Sequence, residues 1–270
     1  MSFPELTAQK VIKALGLSCI EDLYLTNEIA WQRGALVIEE KLTGAEARLI
    51  ISFPRSIITV STSIPDANRR RFGATHEIGH LEMHRGQCSV FNCSKNDLDS
   101  GGTINRASPT LENEANEFAA NLLMPKQFFT PFCEGADLEL SVISDIADRF
   151  KVSLTAAALR FIQISKEPLA VVVSQNGYVR WFDANKDFYE LGLFVNVGNR
   201  LDRDTQAIRA FQGESIPAQP RQVPIRAWMR PGRYSPRATL SEQSLSMPKY
   251  NSVLSLIWIN EVIDDDYWID

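Results

Sequence analysis

No run of this chain approaches the roughly eighteen apolar residues that a membrane-spanning helix needs. Positive charge is not in excess either: 28 basic residues face 33 acidic ones, for a net charge of −5. A nucleic-acid coat or a protein held at an anionic membrane surface would carry the opposite sign. Cysteine is scarce. The four present (Cys19, Cys88, Cys93 and Cys133) are too few and too scattered for a disulfide scaffold. The opening residues Met1-Ser2-Phe3-Pro4-Glu5-Leu6 lack the basic and apolar blocks of a signal peptide. These absences lead to the expectation of a reducing, cytoplasmic setting. Glycine-rich phosphate loops, internal repeats and low-complexity tracts are also missing. What is left is 44% hydrophobic and 23% charged, ordinary for a globular chain and long enough for two modest domains.

Histidine is rarer still, and the three histidines are clustered. Two close the word His76-Glu77-Ile78-Gly79-His80, and His84 follows four residues later. Residues four apart share a helix face, about 5.4 Å apart along the axis. Two imidazoles so placed can grip one Zn²⁺ from one side. Glu77, between them, stands where a base for a metal-activated water is needed. Three consecutive turns cannot converge on an ion with bonds of about 2.0–2.1 Å. His84 is therefore expected near the helix C-terminus, where the dipole favours a partly protonated imidazole.

Pro65-Asp66-Ala67-Asn68 opens this helix, with Asp66 or Asn68 as cap, and Gly86 is the expected stop. Arg69, Arg70 and Arg71 read as a solvated face or structural ion pairs in preference to a contact for an acidic partner. Upstream, residues 1–34 read as two helices stopped by Gly16 and Gly34. Three β-rich runs follow, Leu36–Glu40, Arg48–Phe53 and Ile57–Ser61, with the pattern of a small antiparallel meander. A sheet edge beside a metal site can take an extended peptide as an extra strand. Residues 86–107, rich in Asn, Ser, Gly and Asp, read as a loop, with a flap over the site as its functional reading. A second metal site from His84, Cys88 and Cys93 matches no recognised spacing.

The third ligand is sought on a second helix. Ser108-Pro109-Thr110 starts it and Pro125 stops it, with Leu111, Ala115, Phe118, Ala119, Leu122 and Leu123 as its apolar face. Its small alanines permit close approach to another helix. Glu112 and Glu114 are both candidates, but they sit about 200° apart around the axis, so only one can face the metal. Glu112 is preferred because Asn116, one turn on, can hold a histidine's other nitrogen. Glu114 stays open as the alternative.

Further on, Leu138–Phe150 and Leu154–Ile164 read as a helical pair with helix-turn-helix spacing. Arg160 is the only basic residue of the second helix, too little for a DNA reader, so direct DNA binding is not expected. Asn176-Gly177 between two β runs marks a hairpin. A short helical piece is expected over Thr205–Phe211, and strands over Val223–Met229 and Val253–Val262. Pro217, Pro220, Pro224, Pro231 and Pro236 mark loops, and Asp264–Asp266 a solvated end. The expected architecture is α+β. A zincin-like domain with a small antiparallel sheet spans 1–136, the helical pair 137–166, and a mixed α/β domain, sensor or substrate-binding, 167–270.

Two segments together resemble the ImmA/IrrE family of zinc metallopeptidases. They are Arg70-Arg71-Phe72-Gly73-Ala74-Thr75-His76-Glu77-Ile78-Gly79-His80 and Glu112-x-Glu114-Ala115-Asn116-x-Phe118-Ala119-Ala120-x-Leu122-Leu123-Met124-Pro125. The likeness covers roughly residues 1–165. It implies a thermolysin-like site with His76, His80 and Glu112 on Zn²⁺ and Glu77 as catalytic base. It also implies a cytoplasmic endopeptidase that cleaves a helix-turn-helix repressor or antitoxin. The alternatives are a DNA- or repressor-binding regulator whose metal site is structural or inactive, and a zinc hydrolase of a small molecule.

Overall fold

The structure is a computed structural model and describes residues 1–94, 110–230, 234 and 237–259. The chain divides into two compact units, Met1–Phe132 with Ile146–Ala156, and Cys133–Asp145 with the chain from Ala157 onward. The architecture is α+β, with helices and a small sheet in the first unit and a larger sheet in the second.

In the first unit, helix α1 (Phe3–Leu15) starts at Ser2, whose hydroxyl accepts from the Glu5 amide, and stops at Gly16, left-handed with φ 63°. The single helix expected over Ile20–Gln32 is broken. Glu21–Tyr24 is a 3₁₀ turn, Leu25 leaves helical geometry, and α2 covers Thr26–Gln32. The break has a cause in side-chain capping: the Asp22 carboxylate accepts from the Ser18 and Cys19 amides and tightens the turn ahead of it.

Four strands follow, β1 (Ala35–Glu40), β2 (Ala47–Ile50), β3 (Ser56–Ser61) and β4 (Val90–Cys93), in the order β1-β3-β2-β4. The sheet is mixed, not the antiparallel meander expected. β1 runs parallel to β3, with Ala35 opposite Ser56, while β2 is antiparallel to both β3 and β4. β3 is buried at nearly every position, so it takes the middle, and β1 pairs along its remaining edge. The loop expected over 86–107 contains β4. Its outward Val90 and Asn92 alternate with buried Phe91 and Cys93. Residues from 95 onward in that stretch, where the flap was expected, lie outside the described residues.

Helix α3 (Ala67–Met83) is the centre of this unit, and every residue from Gly73 to Leu81 is buried. Asp66 caps it, accepting from the Arg69 amide at 2.9 Å. It ends at His84 rather than Gly86, because the His84 side chain is held against the next helix (below). The three arginines are engaged at home. Arg69 pairs with Glu46 at 2.7 Å, Arg70 donates to the Ile64 carbonyl, and Arg71 donates to the carbonyls of Phe150 and Lys151.

Helix α4 (Leu111–Leu123) is capped by Thr110, which accepts from Asn113; Ser108 and Pro109 of the expected start lie outside the described residues. Pro125 ends α4 and also opens an unanticipated helix, α5 (Lys126–Cys133), where a proline without an amide hydrogen costs nothing. Gly79 on α3 lies against α4 at Phe118 and Ala115. A Cβ there would sit 3.0 Å from Phe118 Cδ1 and 3.3 Å from the Ala115 backbone. Helices α6 (Leu140–Phe150) and α7 (Leu154–Ile164) lie where two helices were expected, and Arg160, the basic residue of the second, is buried.

In the second unit, β5 (Leu169–Gln175) and β6 (Tyr178–Ala184) form a hairpin over Asn176-Gly177, both at positive φ (54° and 80°) as its turn type demands. Short helices α8 (Lys186–Glu190) and α9 (Ala207–Phe211) follow. Strands β7 (Arg221–Pro224), β8 (Thr239–Met247) and β9 (Ser252–Trp258) complete an antiparallel sheet in the order β6-β5-β9-β8-β7. The strand expected over Val223–Met229 stops at Pro224 and becomes a 3₁₀ turn. β8 was not foreseen, because its buried residues Ser241 to Ser244 are polar. Each has a partner: Ser241 Oγ accepts from Gln222, Gln243 accepts from the Leu140 amide and donates to the Ala218 carbonyl, and Glu242 is the most fully engaged. Its Oε2 accepts from the Gln206 amide and Trp228 Nε1, both at 2.9 Å, and its Oε1 from the Ala207 amide and Ser244 Oγ. Pro231, Pro236 and Asp264–Asp266 lie outside the described residues, as does the expected last strand beyond Ile259.

Two substitutions test this packing. Gly79→Ala gains about 1 kcal/mol of helix propensity, but overpacking against Phe118 and Ala115 costs about 1–3 kcal/mol. We expect net destabilisation, read as a lower urea midpoint; an unchanged or higher midpoint would show that α3 and α4 can separate freely. Glu242→Gln sets an amide NH₂ against a backbone or indole N–H that cannot turn away, and is expected to lower stability by about 2 kcal/mol. An unshifted midpoint would remove Glu242 from its role as the sheet's buried anchor.

Candidate metal centre

Three elements bring the site together. Helix α3 carries His76, Glu77 and His80, with His84 at its end; α4 carries Glu112, Glu114 and Asn116; β4 carries Phe91 and Cys93. All three histidines are buried. Each would-be ligand ring is gripped at its far nitrogen. His76 Nδ1 meets Asn116 Oδ1 at 2.8 Å, as the spacing of Glu112 and Asn116 anticipated. His80 Nδ1 meets His84 Nδ1 at 2.9 Å, and His84 Nε2 meets Glu114 Oε2 at 2.9 Å.

These contacts assign the protons. A carboxylate at Glu114 only accepts, so a neutral His84 carries its proton on Nε2 and presents a bare Nδ1. His80 then donates from Nδ1. Asn116 Oδ1 only accepts, so His76 donates from Nδ1 as well. In that tautomer each ring turns an Nε2 lone pair inward, and burial favours the neutral form of His80. The two Nε2 atoms are 3.0 Å apart. Glu112 Oε2 lies 3.1 Å from His76 Nε2, and Oε1 lies 3.5 Å from His80 Nε2. Three donor atoms thus converge on one point, an arrangement that suits a bound cation. A tetrahedral ion with bonds of about 2.0–2.1 Å would set its ligand atoms about 3.3 Å apart, and the donors present match that spacing.

The sequence reading missed one member of the cluster. Cys93 Sγ lies 3.7 Å from His80 Nε2 and 3.6 Å from Glu112 Oε2, and the donor atoms of His76, His80, Cys93 and Glu112 all lie within 4.8 Å of one another. Its signal was the alternation Val90-Phe91-Asn92-Cys93, too short to read as a strand in a polar loop. Burial, and then the Glu77 and Glu112 carboxylates, push the Cys93 thiol up; a neighbouring cation reverses that preference. Phe91 stacks on His80, ring centroids 4.3 Å apart. The second site considered from His84, Cys88 and Cys93 does not form, since Cys88 is exposed and His84 is engaged by His80 and Glu114. Glu114 stands off the donor set, one ring behind it.

Glu77 is fully buried between the two histidines of α3, and neither of its oxygens has a hydrogen-bond partner. Burial pushes its carboxyl up to about 7, against the pull of His76 and of the neighbouring Cys93 thiol. A groove of about 720 Å³ along α1 and the end of α4, lined by Ile12, Lys13, Asn121 and Lys126, shares no residue with this centre.

Comparison with known proteins fits this geometry. Residues 31–161 match a peptidase family model described as an IrrE N-terminal-like domain. Among curated proteins, no sequence matches. Among solved structures, a Mycobacterium tuberculosis transcriptional regulator is similar, with a TM-score of 0.56 at 14% identity over 96% of this chain and 88% of that one. At that identity the likeness speaks for the fold alone.

The relay from Glu114 through His84 to His80 makes a measurable difference. Glu114→Ala is expected to weaken metal binding by about 10–100-fold without changing its stoichiometry, as measured by competition with a chromophoric chelator. Wild-type affinity in that variant would show that the relay does not orient His80.

Proposed function

We propose that this chain, whose residues 31–161 form an IrrE N-terminal-like domain, is a cytoplasmic zinc-dependent endopeptidase that cuts a regulatory protein, a helix-turn-helix repressor or antitoxin. His76, His80 and Glu112 would hold the ion. The observation that carries this reading is Glu77. A buried carboxylate with both oxygens unpartnered costs several kcal/mol and calls for an explanation. A general base, which must keep its oxygens free for a substrate water, supplies one.

When bound, Zn²⁺ supplies Lewis acidity, making water more acidic and polarising a peptide carbonyl. Glu77 takes the proton of the attacking water and returns it to the leaving amine; an acidity near neutrality suits a group that must do both. Asn116 and the His84–Glu114 pair fix the rings of His76 and His80 so that only their Nε2 atoms face the reaction. His84 is not free to steady the oxyanion, because both its nitrogens are engaged. No helix among the described residues is long and apolar enough to cross a membrane. The buried Arg160 argues against the α6–α7 pair as a DNA reader, and the second unit is proposed to bind the substrate or a signal.

A second reading, a regulator with a structural metal, draws on Cys93: four protein donors are what a closed structural site has. Glu77 separates the two readings, since a structural site has no use for an unpartnered carboxylate beside its histidines. The test compares the chain with its Glu77→Gln variant, each also carrying Cys93→Ala to vacate the fourth donor position. Each is mixed with the helix-turn-helix repressors encoded beside it, with and without chelator. We expect a discrete cut that chelation abolishes and that Glu77→Gln slows about 10²–10⁴-fold while zinc content stays unchanged. Equal cutting by the Gln variant would overturn the mechanism.

A further inference from the structure

A hydrolytic metal site keeps one coordination position for water, and here a fourth protein donor faces it. We propose that Cys93 is a metal ligand delivered by β4, closing the site in the folded chain, and that its departure opens the site to substrate. The inference rests on the metal-centre reading above and adds the state in which that centre is held.

The distances carry the first part. A thiolate at about 2.3 Å from a tetrahedral ion sits about 3.6 Å from nitrogen or oxygen ligands at about 2.0–2.1 Å. Cys93 Sγ is 3.7 Å from His80 Nε2 and 3.6 Å from Glu112 Oε2. Cys93 is fully buried, its sulfur lies within 4.8 Å of the donor atoms of His76, His80 and Glu112, and the Glu77 carboxylate is near enough to act on its thiol.

The strand carries the second part. β4 pairs with β2, Ala47 opposite Cys93 and Ile50 opposite Val90, and the flanking amides of Glu46 and Ile51 donate to the Cys93 and Ser89 carbonyls at 2.9 Å. The β2 edge beside a metal centre is where an extended peptide would add as a strand. Here the chain's own four-residue segment holds that edge, places Phe91 on the face of His80 and sets Cys93 at the metal. β4 thus occupies, with one strand, both the backbone edge and the coordination position that a peptide substrate needs. One displacement frees both. The exchange is redox-neutral: the sulfur–metal bond breaks, the position passes to solvent, and the thiolate takes a proton from solvent. A short edge strand with two outward residues is the kind of element that opens locally at low cost.

The test reads the metal directly. The full chain is loaded with Co²⁺ and its absorption recorded, and the zinc form is measured by X-ray absorption. We expect a thiolate-to-cobalt charge-transfer band in the near ultraviolet and one sulfur at about 2.3 Å from zinc. Cys93→Ser should bind one equivalent of cobalt without the band. Acetohydroxamate, a small metal-directed probe, should bind cobalt-loaded Cys93→Ala about tenfold or more tightly than the wild type, if the open form is a tenth of the population or less. One equivalent of metal in the wild type with neither band nor sulfur would overturn the proposal and leave the three-donor centre standing. Wild type that binds no metal would overturn the centre itself. If the Cys93 variants fail to fold, the wild-type zinc spectrum alone decides.

Discussion

The structure depends on where two protons sit. His76 and His80 each give their Nδ1 hydrogen to a fixed acceptor, Asn116 in one case and His84 in the other. That leaves two Nε2 lone pairs facing each other at 3.0 Å, with Glu112 beside them. Lone pairs at that distance repel, and burial denies them water. The same arrangement becomes favourable when a cation lies among them. A cation held there would join α3 to α4, so the fold and the candidate site share one electrostatic constraint. The close crossing at Gly79, Ala115 and Phe118 brings the two helices near enough for it to operate.

The relay behind His80 is longer than the one behind His76. An amide oxygen suffices for His76, while His80 uses a second ring and a carboxylate. The asymmetry follows from the end of the helix. His80 stands one turn from the terminus of α3, where His84, already leaving helical geometry, reaches its Nδ1. Glu114, on the other side of α4 from Glu112, meets the far nitrogen. The two glutamates thus serve two different rings, and their separation of about 200° around α4 is what the arrangement needs.

Much of this was legible because helices repeat every 3.6 residues. His76, His80, Glu112 and Asn116 declare their faces by spacing alone, and Asp66 and Thr110 cap helices as their chemistry predicts. Strand pairing was less legible. Nothing local says that β1 joins β3 in parallel, since that choice is made by which strand is buried on both sides. β4 and β8 escaped for a shared reason. Each buries residues that composition reads as polar or loop-like, Cys93 within a polar stretch, and Ser241 to Ser244 around Glu242. A buried polar residue is intelligible only once its partner is known, and the partners lie far away in sequence: Glu112 for Cys93, Trp228 and the start of α9 for Glu242.

The word His-Glu-Ile-Gly-His can then be taken letter by letter. Successive residues on a helix point about 100° apart, so five consecutive positions sweep the full circumference. His76 and His80 return to one direction, toward the metal. Glu77 lies to one side of them, buried and unpartnered. Ile78 enters the core with Leu49, Ile58 and Phe118, and Gly79 abuts α4. No direction is left for solvent, which is why Gly73 to Leu81 are all buried although α3 as a whole is not an apolar helix. A turn so enclosed cannot rotate to relieve a misplaced group. Glu77 is thereby held in a position it would not choose on its own electrostatics, and the packing of Ile78 and Gly79 offsets the cost of keeping its carboxyl beside the histidine pair.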